Sequence, residues 1–78
     1  MTGGSLLSLV SDVLRVPVEH ITEATSAATV GEWTSLAHLQ LIKAVEDAYQ
    51  VSLTPREIRG IRSVADLRTS LRQRGIAP

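Results

Sequence analysis

The chain contains no cysteine and no phenylalanine. Without thiols there can be no disulfide staple and no thiolate metal site, and no side chain can serve as a thiol nucleophile. Aromatic residues are almost missing too, since Trp33 and Tyr49 make up the whole 3% share against 44% hydrophobic residues. A core made of Leu, Ile, Val and Ala suits short helices better than a sheet sandwich, which favours aromatic and β-branched side chains. No apolar run reaches the roughly 18 residues needed to span a bilayer. The opening Met1-Thr2-Gly3-Gly4-Ser5 lacks the basic start and cleavage pattern of a signal peptide. The expectation is a soluble, cytoplasmic chain in a reducing compartment, with no membrane partner. A glycine-rich phosphate loop is also absent, because Gly3-Gly4 opens no strand-to-helix unit.

Net charge is the last absence, with 8 basic against 8 acidic residues. The distribution is uneven: from Arg56 onward there are six Arg against Glu57 and Asp66, while earlier only Arg15 and Lys43 are positive. The segment 55–74 could be read as a helix-turn-helix with an Arg-bearing second helix. Zero net charge, the lack of Asn or aromatic base readers there and the very short first helix argue against it, so no nucleic-acid partner is expected. At 78 residues the chain forms one small domain, residues 1–78, with 1–4 and 75–78 as flexible ends. A core of that size leaves little room for a deep, water-excluded cleft.

What is present is helical periodicity. Leu6, Leu7, Val10, Val13 and Leu14 recur at helix spacing behind a Ser5 cap, and Pro17 closes this first helix near Val16. Residues 18–32 keep no period and read as a long loop, pinned to the core by Ile21 and Val30, with His20 on the surface. Thr34 then caps a second helix, Ser35 takes its first position, and Trp33 stands just outside as one half of a staple. Leu41, Val45, Ala48 and Tyr49 form its core face. Leu36 and Leu39 fall on another side, which predicts exposed apolar surface close to Ser35. Val51-Ser52-Leu53 is an extended link. Thr54-Pro55-Arg56-Glu57 starts a short helix that ends at Gly60, with Ile58 and Ile61 inward. Ser63 caps a last helix with Val64, Leu67 and Leu71 inward, Arg68, Arg72 and Arg74 outward, and Gly75 as its stop. The expected fold is all-α: a small bundle of three main helices plus one short helix, with a long loop between helices one and two.

Which chemistry could such a bundle carry? Ser35 and His38 share a helical face, but a working nucleophile also needs an orienting carboxylate, an oxyanion hole and a pocket. A metal site from His20 and His38 has no supporting ligand spacing, so none is expected. The chain is not expected to be an enzyme.

The run Trp33-Thr34-Ser35-Leu36-Ala37-His38-Leu39-Gln40-Leu41-Ile42-Lys43-Ala44-Val45-Glu46 resembles the modification-site helix of acyl carrier proteins. In that family an Asp-Ser-Leu triplet opens the second helix, and an acidic and aromatic ending like Glu46-Asp47-Ala48-Tyr49 follows. The order of elements agrees along nearly the whole chain, down to a last helix opening with Ser63-Val64-Ala65-Asp66-Leu67. The resemblance implies an acyl-carrier-like fold and a 4'-phosphopantetheine arm on Ser35, taken from coenzyme A by a phosphopantetheinyl transferase. It implies a thiol that holds acyl or aminoacyl groups as thioesters, and a monomer visited by loading and processing enzymes. By resemblance the docking surface is Thr34, Leu36, Leu39, Gln40, Lys43, Glu46 and Asp47.

Two features depart from the family pattern. Thr34 replaces the usual Asp, which keeps a capping oxygen but removes a charge that the family uses for recognition by the transferase. His38, Gln40 and Lys43 lie on a helix that is strongly acidic in fatty-acid carriers, which points to polyketide, nonribosomal peptide or related specialised assembly. The competing expectations are a small helical interaction or DNA-binding module, and a carrier-like domain that is no longer modified.

Overall fold

The computed structural model describes residues 5–76. Four α-helices follow in order: α1 (Ser5–Leu14), α2 (Ser35–Tyr49), α3 (Pro55–Gly60) and α4 (Val64–Arg72), with a 3-10 turn at Val18–His20. The architecture is the expected all-α bundle. Its core joins one stripe from each long helix: Leu6, Val10 and Leu14 from α1, Ala37, Leu41, Ile42 and Val45 from α2, and Val64, Leu67 and Leu71 from α4. Val16, Ile21, Trp33, Leu53 and Ile61 close it from the connections. Among the described residues no buried side-chain nitrogen or oxygen lacks a hydrogen-bond partner. Among the described residues no helix is long and apolar enough to cross a membrane.

Several boundaries differ from the sequence reading. Ser5, expected just ahead of the helix, is instead the first residue of α1. The helix also stops at Leu14, before Pro17 can act, because Arg15 turns left-handed at φ 58°. The Val16 amide then bonds the Ser11 carbonyl at 3.2 Å, closing the helix end in a Schellman arrangement. Gln50 does the same for α2 at φ 56°, with the Val51 amide on the Glu46 carbonyl at 3.1 Å. Ala48, expected in the core, is exposed, and Tyr49 is only half-buried. The burial stripe runs through Ala37, Leu41 and Val45 and has rotated past Ala48 by the last turn. At the other end Gly75 takes φ 78°, and Ile76 packs on the core instead of trailing as a free end. The remaining expected flexible residues, 1–4 and 77–78, lie outside the described ones.

The long loop is tied down more firmly than its composition suggests. Ile21 is buried and Val30 packs on the core, as expected, and His20 is exposed. The other anchor is α4. The first amides of a helix have no partner inside it. Here the Val64 amide donates to the Thr25 carbonyl at 3.1 Å and the Ala65 amide to the Glu23 carbonyl at 2.9 Å. Ser63 Oγ takes the Asp66 amide at 3.3 Å, so the cap read from sequence is made. Arg68 adds a two-pronged grip on Glu23, Nε to Oε1 at 2.9 Å and Nη2 to Oε2 at 2.8 Å. Arg68 therefore does not simply face solvent. Nor does Arg74, whose guanidinium bonds Glu57 of α3 at 2.5 Å and the Ser52 carbonyl at 3.1 Å. Two of the six C-terminal arginines are neutralised in this way, which thins the basic face that a nucleic acid would need.

Candidate functional site

Ser35 begins α2 and is exposed. Thr34 stands ahead of it in extended geometry, and its hydroxyl oxygen accepts the Ala37 amide at 3.1 Å. That bond meets one of the unpaired amides of the first turn and fixes where the helix starts. Ser35 is thereby held at the positive end of the α2 dipole, where a phosphodiester's negative charge is favoured.

Trp33 and His38 brace this start from behind. They occupy the two staple positions flanking the cap, but their link is polar: the indole Nε1–H donates to His38 Nδ1 at 3.0 Å. An indole can only donate, so Nδ1 accepts and the imidazole proton sits on Nε2. From there it donates to the carbonyl of Ile58 at 2.9 Å, tying α3 to the first turn of α2. Both ring nitrogens are thus engaged, and His38 has no lone pair to offer Ser35 as a base. The Ser-His pairing conceivable from sequence is replaced by a structural bridge. The sequence carries a faint signal of it, a Trp just before a helix cap and a His in the first turn.

The outer side of α2 carries the predicted docking residues. Leu36 is 65% exposed and Leu39 59%. Gln40, Lys43 and Asp47 are exposed beside them, and the spacing 36, 40, 43, 47 makes one continuous stripe. Lys43 Nζ lies 3.4 Å from Asp47 Oδ1, a solvent-exposed pair that contributes little to stability. Glu46 differs from its neighbours. It is half-buried, and its Oε2 accepts the Leu53 amide at 2.8 Å, so the carboxylate is occupied in holding the α2–α3 link.

Beside Ser35 the surface opens into a groove of about 940 Å³ between the 26–28 loop, the start of α2 and the α3–α4 link. Trp33, Leu39, Ile58 and Ile61 give it apolar walls, and Arg59 and Arg62 are the charged residues that line it. The groove is open to solvent and is not a deep, water-excluded cleft. The core itself is solid, and the space lies between elements, where short α3 is held against α2 through His38. Among the described residues no cluster of three or more His, Asp or Glu could hold a metal ion.

A helix bundle that presents a capped, exposed serine beside an apolar stripe and an open groove has the form of a carrier domain. A family model described as the phosphopantetheine attachment site matches residues 5–71, and the chain belongs to that family. Members of this family hold 4'-phosphopantetheine covalently, and the chain is a phosphopantetheine carrier protein. The residues present suit such a group: a free hydroxyl at a helix start for the phosphodiester, and a groove next to it. Among solved structures, the fold is similar to a Mycobacterium tuberculosis protein provisionally assigned as an acyl carrier protein. The two agree at TM-score 0.80 and 24% identity over 91% of this chain and 95% of the other. No curated protein matches the sequence.

Proposed function

We propose that Ser35 is the attachment point of the phosphopantetheine arm, and that the chain carries acyl or aminoacyl intermediates without making or breaking their bonds itself. The observation that carries this reading is the exposure of the Ser35 hydroxyl on the first turn of α2, with Thr34 fixing the backbone around it. When bound, the arm supplies the terminal thiol that this cysteine-free chain lacks, and with it the capacity to hold cargo as a thioester. The protein's own residues do the remaining work. The α2 amides and dipole favour the phosphodiester charge. Leu36 and Leu39 offer apolar contact, and Thr34, Gln40, Lys43 and Asp47 frame it with polar groups that distinguish one partner from another.

The partners on this reading are a phosphopantetheinyl transferase and the enzymes that load and process the cargo, acting on a cytoplasmic monomer. The mixed polarity of the stripe, with Lys43 and Gln40 in place of a run of acids, favours polyketide, nonribosomal peptide or related specialised assembly. Incubation with coenzyme A and a broad-specificity transferase, followed by intact mass, tests the assignment. The expected result is one added arm, lost in Ser35→Ala. An arm that survives this substitution would place the site elsewhere, and no arm with any transferase would leave a docking domain that is not modified.

A further inference from the structure

The groove beside Ser35 has an uneven charge. Its lining includes two guanidinium side chains, Arg59 and Arg62, and no carboxylate. Both arginines are exposed, and among the described residues neither side chain makes an ion pair, unlike Arg68 and Arg74. The acid closest in sequence to Arg62, Asp66, accepts the Arg62 backbone amide at 3.0 Å, so its carboxylate serves the main chain. Two unpaired guanidinium groups over an apolar floor form a site for a molecule that is apolar along its length and anionic at one end. The planar guanidinium fork matches a carboxylate.

We infer that this groove is a subsite for carried acyl chains that bear a carboxylate away from the thioester. Arg59 and Arg62 are its specificity-determining residues. The inference rests on Ser35 as the point of attachment. Ile58, Ile61 and Leu39 take the methylene segment, and the guanidinium groups take the charge. The volume, about 940 Å³, lies at the upper end of the range of roughly 300–1,000 Å³ seen for small-molecule sites, enough for a chain folded back from Ser35. A chain of equal length ending in a methyl group would meet the same floor but leave both cations unpaired.

The absence of cysteine allows a test that needs no transferase. Ser35→Cys introduces a single thiol, which is alkylated with either of two bromoacetamide-linked chains of equal length, one ending in carboxylate and one in methyl. The Arg Nε–Hε signals and the Trp33 indole signal are then followed by NMR at low salt, together with the thermal midpoint of each conjugate. The carboxylate conjugate should shift the Arg59 and Arg62 signals and melt a few degrees above the methyl conjugate. Both differences should vanish in the Arg59→Gln/Arg62→Gln double variant, which alters no hydrogen bond of the fold. Equal behaviour of the two conjugates, or a difference that survives the double substitution, would overturn the inference. Because attachment is chemical, failure of a transferase to load Ser35 would count against the attachment reading alone and leave this result intact.

Discussion

Leu39 and Leu41 lie two residues apart on the same helix, and their surroundings are opposite. Leu41 is fully buried in the core, while Leu39 is 59% exposed on the edge of the groove. The same contrast separates Ala37 from Leu36 one position earlier. The buried side of α2 works as any core stripe does, by removing apolar surface from water. The outer side keeps two leucines wet, which a small domain tolerates only at some risk of association. The contrast teaches that apolar content and core membership are separate properties here: α2 has more leucine than its core face can use, and the excess gathers around one serine.

The comparison can be broken most forcefully at the core. Leu41→Ala should cost about 2–5 kcal/mol through lost burial and a residual cavity, measured by urea unfolding. Leu36→Ala and Leu39→Ala should each change stability by no more than about 0.5 kcal/mol. Their effect should instead appear as slower loading by partner enzymes. If either outer leucine proves as costly to remove as Leu41, the two-sided description fails.

His38 sits where the two sides meet. His38→Phe keeps the ring's bulk but leaves the indole N–H of a buried Trp33 unpaired and frees the Ile58 carbonyl. A loss of about 1–3 kcal/mol is expected, together with faster amide exchange in α3. At the head of the helix, Thr34→Ala should cost about 1 kcal/mol through the lost cap. Thr34→Asp should keep the cap and add a favourable charge at the dipole, so it should match or exceed the parent in stability and accept the arm faster. A slower transferase reaction in Thr34→Asp would argue that this site is read by a transferase suited to threonine.

The mildest effect concerns acid. The Arg74 guanidinium, assisted by the Thr54 amide, holds the Glu57 carboxyl at about 2, down from 4.5. Because the folded value is depressed, the stabilisation is complete above the unfolded value near 4.5 and drains away as pH falls towards 2. Glu23 is lowered in the same direction by Arg68. Thermal midpoints measured between pH 5 and 2 should therefore fall, and less steeply in Glu57→Gln.

Much of this was legible in the residues. Thr34, Thr54 and Ser63 all cap the helices that they precede, because a cap is a bond to an amide only three residues away. The exposed pair Leu36 and Leu39 could be anticipated from period alone. Ala48 could not, since a helix's phase drifts and only the neighbours decide where burial ends. The end of α1 was misplaced for a related reason: Pro17 is a visible stop, whereas nothing in Arg15 announces a left-handed residue. Glu46 looked like a surface acid because its partner, the Leu53 amide, becomes available only once the link folds back.

By itself the sequence determined the number and order of helices, their caps, the absence of thiol chemistry and the position of Ser35 at a helix start, since each follows from contacts within a turn or two. Only the tertiary structure decided that His38 bridges Trp33 and Ile58, that Glu23 and the Thr25 carbonyl seat the long loop on α4, and that Arg59 and Arg62 line the groove at Ser35. Those facts join residues that are up to 45 positions apart in the chain. No local propensity encodes such pairings; they exist because burying one shared core brings the segments together.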